Sequence, residues 1–298
     1  MKRRSFIKLS SYMLAGSILP KTTLTLSDHI NSRPLIMGIF PRRNIKLTYK
    51  LFSPMATYLS HSLQREVRLV TAKNFKDFWR GVKEQRYDLV HYNQYHYIVS
   101  NLLYGYQVIL KNQEFGRSTN AATIIVRKDS NINSISDLKN KTILFGGGKM
   151  AMQSYISIKW LLQKEGLTES DYNEKIAINP PNAIMSTYQK QADAAGSGDT
   201  VIKLDVVKRN IDITQMKFLA QTKQLPHLPW AVKSNMPEQL KQSLQSILSS
   251  LHSNPSGRNI LNQAKLSALV SATDKDYDEH RKIVRDVYGD DYGINLLK

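Results

Sequence analysis

The residues best suited to chemistry lie in one stretch, Thr142-Ile143-Leu144-Phe145-Gly146-Gly147-Gly148-Lys149-Met150-Ala151-Met152-Gln153-Ser154-Tyr155. A short apolar run, three glycines and a lysine lead into a helical pattern. A turn of this kind exposes several backbone N–H groups beside the positive end of a helix dipole, and Lys149 adds a full charge there. The chemistry so offered is anion binding. The alternative, that the glycines only make a tight strand-to-helix connection, stays open on the loop alone. Met150 and Met152 suit either an apolar wall for a ligand substituent or ordinary helix packing.

Other arrangements exclude more than they offer. The chain has no cysteine, which removes disulfides, thiolate metal sites, a cysteine nucleophile and a lipoprotein anchor. His91 and His96 lack a third ligand at metal spacing and read as structural, so no metal site and no cofactor are expected. A nucleophile elbow and a phosphate-binding P-loop are absent. An enzyme on the same scaffold would have to rely on a pair such as His91 and Asp193 meeting across a cleft. No catalytic residue is assigned.

The chain has 298 residues, of which 41% are hydrophobic, enough for two compact lobes. Its formal net charge is +18, but residues 1–27 hold Lys2, Arg3, Arg4, Lys8 and Lys21 and no acid. The surplus in the remainder suits an anionic ligand or surface. Nucleic acid is not expected, since no basic run has interleaved aromatics.

Residues 1–20 read as a targeting segment: a basic start, a moderately apolar run from Leu9 to Leu19, then Pro20. Lys2-Arg3-Arg4-Ser5-Phe6-Ile7-Lys8 resembles the twin-arginine export motif. We assign residues 1–27 to this signal and expect a periplasmic protein. Its cleavage or retention as an anchor stays open.

The elements that must position the glycine stretch follow a strand–helix alternation. Leu35 to Phe40, Val67 to Val70 and Tyr87 to Tyr92 read as strands, separated by helices over Leu47–Leu63 and Asn74–Lys83. Pro54 is expected to mark the true start of the first helix or to kink it. After a helix over Tyr95–Leu103 and strands over Tyr106–Lys111 and Ala121–Arg127, Ser134 or Ser136 caps a short helix. A second series then runs through the glycine stretch, a helix from about Met152 to Glu165 ended by Gly166, and a strand over Glu174–Ile178. A helix over Pro181–Gln191 and a strand over Ala192–Gly198 complete it. Met216 to Ala220 is another strand. The prolines of Leu225–Val232 limit that segment to a crossing or edge role. A helix over Pro237–Leu251, capped near Asn235, and helices over Arg258–Ala264 and Asp276–Tyr288 close the chain. Ligands of such sheets collect at the carboxyl ends of the strands: Pro41–Asn44, Thr71–Phe75, His91–Tyr95, Gly146–Tyr155, Asn179–Asn182 and Gly196–Asp199.

Four segments carry a family resemblance: Tyr87 to Tyr95; Ile124 to Ser130 with Ile135 to Lys141; Asn182-Ala183-Ile184 with Gln191 to Ala195; and Pro226 to Val232. Together they resemble the phosphonate- and phosphite-type substrate-binding proteins of ABC transporters. The resemblance implies an α/β fold of type II periplasmic binding protein (Venus flytrap) class, each lobe a doubly wound sheet with flanking helices. Lobe 1 is then 33–119 with 225–298, and lobe 2 is 120–224. It also implies two lobes closing on a small anion whose oxygens are taken by a Ser-Thr-Ser segment at a helix start. Here that place reads Met150-Ala151-Met152, without hydroxyls. Gly147, Gly148, Lys149, Met150 and Ala151, with Gln153 or Ser154, are the expected replacements. Phe75 stands where the family has a pocket tyrosine, whereas Tyr92 keeps one. Asn179 falls near the pocket histidine and Asp193 near the pocket acid. Asp193 either orients a ligand O–H or amine or caps a turn. The implied partners are a small anionic ligand and a membrane ABC permease, or a sensor kinase, with the protein itself a monomer.

Overall fold

The computed structural model describes residues 33–297; the export motif lies outside them. Three strands, β1 (Leu35–Ile39), β2 (Val67–Thr71) and β3 (Leu89–His91), run parallel in the order β2-β1-β3. Each ends in a loop whose asparagine starts the next helix. Asn44 accepts from Leu47 N–H (2.8 Å) to open α1 (Ile45–Leu63). Asn74 accepts from Asp77 N–H (2.9 Å) to open α2 (Phe75–Lys83), and Asn93 from Tyr95 N–H (2.9 Å) to open α3 (Gln94–Tyr104). Asparagine is a preferred N-cap because its short side chain satisfies an otherwise orphaned helical donor.

α1 continues through Pro54 rather than starting there. Its buried stripe of Leu51, Phe52, Met55, Ala56 and Leu59 lies on both sides of the proline, so burial outweighs one lost backbone hydrogen bond.

After β4 (Gln107–Gln113) the chain leaves this sheet through β5 (Thr119–Asn120) and enters a second one with β6 (Ala122–Arg127). Ser134 caps a 3₁₀ turn at Ile135–Leu138. Then come β7 (Thr142–Gly146), α4 (Ser157–Lys164), β8 (Asn173–Ala177), α5 (Pro180–Tyr188), β9 (Ala194–Gly198), α6 (Asp205–Lys208) and β10 (Met216–Gln221). The second sheet has the order β10-β6-β9-β7-β8, with β9, β7 and β8 parallel and the other pairs antiparallel.

The chain returns through β11 (Leu225–Pro226), paired with β5. It then forms β12 (Pro229–Val232), α7 (Glu238–Ser249), α8 (Pro255–Ala264), β13 (Ala268–Ser271) and α9 (Asp278–Tyr288). Here the sequence expectation is corrected. β12 is a central strand between β4 and β3, in the order β13-β4-β12-β3-β1-β2. Pro229 occupies the first strand position, where no donor is needed and its carbonyl accepts from Tyr92 N–H (2.9 Å). Pro226 belongs to the connecting strand instead. Asn235 is not the cap of α7, which starts directly after Pro237. β13 is an edge strand that the sequence reading did not anticipate.

The first sheet buries Met37, Met55, Leu59, Trp230 and Leu248 against α1, α7 and α8. Its other face shares one core with the second sheet, running from Phe78 and Tyr97 through Ile124 to Phe145 and Ile158, with Ile283 contributed by α9. The molecule is therefore a mixed α/β fold of two lobes with flanking helices, joined by two connecting strands and by α9, which packs on both α3 and α4.

Candidate functional site

The glycine stretch closes β7 as the sequence predicts. A Cβ on Gly146 would stand 2.4 Å from the Pro180 Cα, so only glycine fits there. Gly147 (φ +99°) and Gly148 (φ +85°) adopt left-handed conformations that side chains disfavour. Gly147 N–H donates to the Ala177 carbonyl (2.9 Å) and Ala151 N–H to that of Gly148 (2.9 Å), which holds the loop in shape. Ala151 offers no capping side chain, and the chain enters α4 through a π-helical turn at Met152–Ile156. Such turns are rare and recur at functional sites. Among the described residues, the N–H groups of Gly148, Lys149, Met150, Met152, Gln153 and Ser154 find no acceptor. They form a row of orphan donors at a helix start.

Two further contacts fix this row. The Ser154 hydroxyl donates to the Gly146 carbonyl, and the Gln153 amide donates to Asn120 Oδ1 (3.0 Å) on the connecting strand. Gly196 on β9 lies directly beneath, where a Cβ would meet the Ser154 carbonyl at 2.6 Å. Gly196→Ala is accordingly expected to destabilise the protein by about 1–3 kcal/mol through overpacking; a urea midpoint equal to wild type would remove this account of the glycine.

The structure sorts the expected residues. Gly147, Gly148, Lys149, Met150, Ala151, Gln153 and Ser154 share the loop, but Gly147 and Ala151 are corrected as donors, since their N–H groups are spent on the Ala177 and Gly148 carbonyls. Asn179 stands beside the loop, capping α5 through Asn182 N–H (2.9 Å). Lys149 is exposed, and its carbonyl accepts from the Tyr288 hydroxyl (2.5 Å) at the end of α9. Met150 and Ala151 are half-buried, while Met152 is fully buried in the core. Phe75 stacks on His96 at 4.9 Å.

Two residues are placed elsewhere. Tyr92 turns into the core of lobe 1 among Phe78, Tyr97 and Tyr106, because β3 alternates and this face lies under α2 and α3. Burial pushes its phenol well above the ordinary range. Asp193 sits at the amino end of β9, where it accepts from Thr142 N–H (2.8 Å), at the opposite end of the sheet from the loop. The His91 and Asp193 pairing is likewise not formed: His91 is sealed against Trp230, rings 4.5 Å apart and 9° from parallel. Among the described residues no cluster of metal-ligating side chains occurs.

The sequence reading missed a charged cluster where the connecting strands leave the sheets. Glu114 lies 3.5 Å from Arg42 and 3.8 Å from His227 Nε2, and accepts from Asn112 (3.2 Å). Burial opposes its charge, but Arg42 first, with Arg43 and the Asn112 hydrogen bond, more than offsets this and holds the carboxyl below its usual range. Asp199 accepts from Arg117 (3.0 Å), Gln224 (2.9 Å) and Ala121 N–H (3.1 Å). His227 Nδ1 accepts from Leu228 N–H (2.8 Å), and burial lowers its pKa, so the ring is neutral at pH 7. The strand-end rule selects Pro41–Asn44 and Gly196–Asp199. Nothing in the sequence linked them to Glu114, Arg117 or His227.

Comparison with known proteins agrees with this architecture. The methylphosphonate complex of PhnD1 from Prochlorococcus marinus superposes with a TM-score of 0.72 at 18% identity, covering 86% of this chain and 98% of that one. A binding-protein component of an ABC phosphonate transporter from Pseudomonas aeruginosa gives 0.71 at 14% identity, covering 89% and 93%. A Xanthomonas citri protein bound to ATP gives 0.71 at 15% identity, covering 85% and 96%. At these identities the likeness establishes the fold. The profile of the family described as ABC transporter, phosphonate, periplasmic substrate-binding protein matches residues 37–277. The chain belongs to that family of periplasmic substrate-binding proteins.

Proposed function

We propose that this protein captures a small phosphonate-like oxyanion between its lobes in the periplasm and presents it, as a monomer, to a membrane ABC permease. The observation that carries this reading is the row of orphan N–H donors of Gly148, Lys149, Met150, Met152, Gln153 and Ser154 at the carboxyl end of β7. A backbone row beside a helix start takes an oxyanion without needing the hydroxyls absent from Met150-Ala151-Met152. Lobe 1 is taken as 33–119 with 225–298 and lobe 2 as 120–224, closing about the two connecting strands. Export by the twin-arginine route rests on Lys2 to Lys8. Family members are transport proteins, and the residues gathered here offer donors rather than a nucleophile and base.

A thermal-shift panel of phosphate, phosphite, alkylphosphonates, sulfate and organic acids tests the reading. A true ligand at 100 times its Kd stabilises by about 2.7 kcal/mol. Absence of a shift with every anion would sink it. Lys149→Ala is expected to weaken the stabilising anion by about 3- to 5-fold, the share of an exposed charge, with folding unchanged. Unchanged affinity would return Lys149 to the surface.

A further inference from the structure

The charges at the lobe junction are unevenly spent. Asp199 has three donors and Glu114 is held by Arg42 and Asn112, so the carboxylates that the connecting strands bring to this end are occupied. Asp193, the acid that the family resemblance would put in the pocket, lies at the far end of β9. Arg117 is paired with Asp199 and Arg42 with Glu114. Arg43 differs: among the described residues it makes no hydrogen bond and no ion pair, although it is half-buried at the carboxyl end of β1. Burial, and next the charge of Arg42, pull it down to about 9, while Glu114 acts the other way. A guanidinium is intrinsically so basic that it remains protonated at neutral pH. The junction therefore keeps a desolvated cation in no direct ion pair, with Glu114, already held by Arg42, as its nearby opposite charge, beside Arg42, Arg117, Asp199 and a neutral His227.

We propose that Arg43 sets the charge type of the ligand: it takes a fully ionised oxyanion head group, and the site rejects ligands that carry an amino group. The inference rests on the anion-capture reading above. An ammonium group needs an unspent acceptor, preferably a carboxylate, and would otherwise be desolvated beside like charge. An oxyanion needs donors only, which the guanidinium fork and the free backbone N–H row supply. Half-buried Met150 and Ala151 beside that row suit an aliphatic substituent. A sulfonate, which never carries a proton here, is then as acceptable as a phosphonate of the same size.

The test is calorimetric titration of the exported chain at pH 8 with methylphosphonate, ethylphosphonate, methanesulfonate and 2-aminoethylphosphonate. Methylphosphonate and methanesulfonate are expected to bind within about 10-fold of each other, and 2-aminoethylphosphonate about 30-fold or more weaker than ethylphosphonate. Arg43→Gln is expected to weaken both alkyl anions about 30-fold in a chain that still unfolds cooperatively in urea, because the side chain makes no direct hydrogen bond or ion pair to lose. Arg43→Lys, which keeps charge but loses the fork, should fall between. Tighter binding of the amino ligand than of ethylphosphonate, or unchanged anion affinity in Arg43→Gln, overturns this inference while leaving anion capture intact. Failure of wild type to bind any of the four overturns the anion-capture reading, and this one with it.

Discussion

Between pH 7.5 and pH 5 the protein is expected to lose about 4 kcal/mol of stability through two histidines, His96 and His280. Both are fully buried, and burial holds each near pKa 3, with the neighbouring charge of Arg281 adding to the effect on His280. Neither ring nitrogen of either residue has a hydrogen-bond partner. His96 stacks on Phe75 and meets Phe78 and Trp79 edge-on; His280 stacks on Tyr277 at 5.5 Å. The sign follows from the proton count. Unfolded chains take up protons below about pH 6.5, whereas the folded rings stay neutral until about pH 3. Their contribution is thus intact above pH 6.5 and is lost progressively as pH falls between those limits. Each ring accounts for about 2 kcal/mol at pH 5. His91, whose pKa burial also lowers, acts in the same direction. Urea unfolding at the two pH values measures the loss, and His96→Leu with His280→Leu should remove most of it. Equal stability at both pH values would contradict the account.

Loss of one buried cation should cost a similar amount. Lys159 on α4 is 2% exposed, and its ammonium lies 2.6 Å from Glu174, 2.9 Å from Glu169 and 2.8 Å from the Tyr172 hydroxyl. The rings of Phe145, Tyr155 and Tyr172 surround it at 5.0–5.6 Å. Burial works against the charge, but the bonds to Glu174, Tyr172 and Glu169 outweigh it and raise the pKa, so the ammonium persists throughout neutral pH and is lost only in strong alkali. Lys159→Met would strand Glu174 with the Tyr155 hydroxyl as its remaining partner at 2.9 Å. Breaking a buried pair from one side costs about 3–5 kcal/mol. A loss below about 1 kcal/mol in urea unfolding at pH 7.5 would show that the pair is solvated rather than structural. Because α4 carries the π-helical turn, this variant should also loosen the donor row above it.

Much of the fold was legible because local signals and tertiary demands agree. The apolar runs Leu35–Ile39 and Thr142–Gly146 become central strands, and the glycines at 146–148 do what their backbone freedom suggests. The misreadings have one cause, the weight of long-range burial against local rules. Pro54 sits mid-helix because its neighbours are buried on both sides, and Pro229 enters a central strand at the one position where a missing donor is harmless. Within the site, the donor row was visible as glycine and helix start. The direction of Tyr92 was not, since strand alternation alone does not say which face the helices cover. The pairs Arg42–Glu114 and Arg117–Asp199 join residues 72 and 82 positions apart, which no local pattern encodes.

The most direct measurement is a crystal structure of the protein grown with the oxyanion that raises its melting temperature most. The account predicts the anion between the lobes, its oxygens about 2.7–3.1 Å from backbone N–H groups within Gly148–Ser154. An anion bound away from that loop, or a loop whose donors remain unoccupied while the protein is saturated, would contradict it.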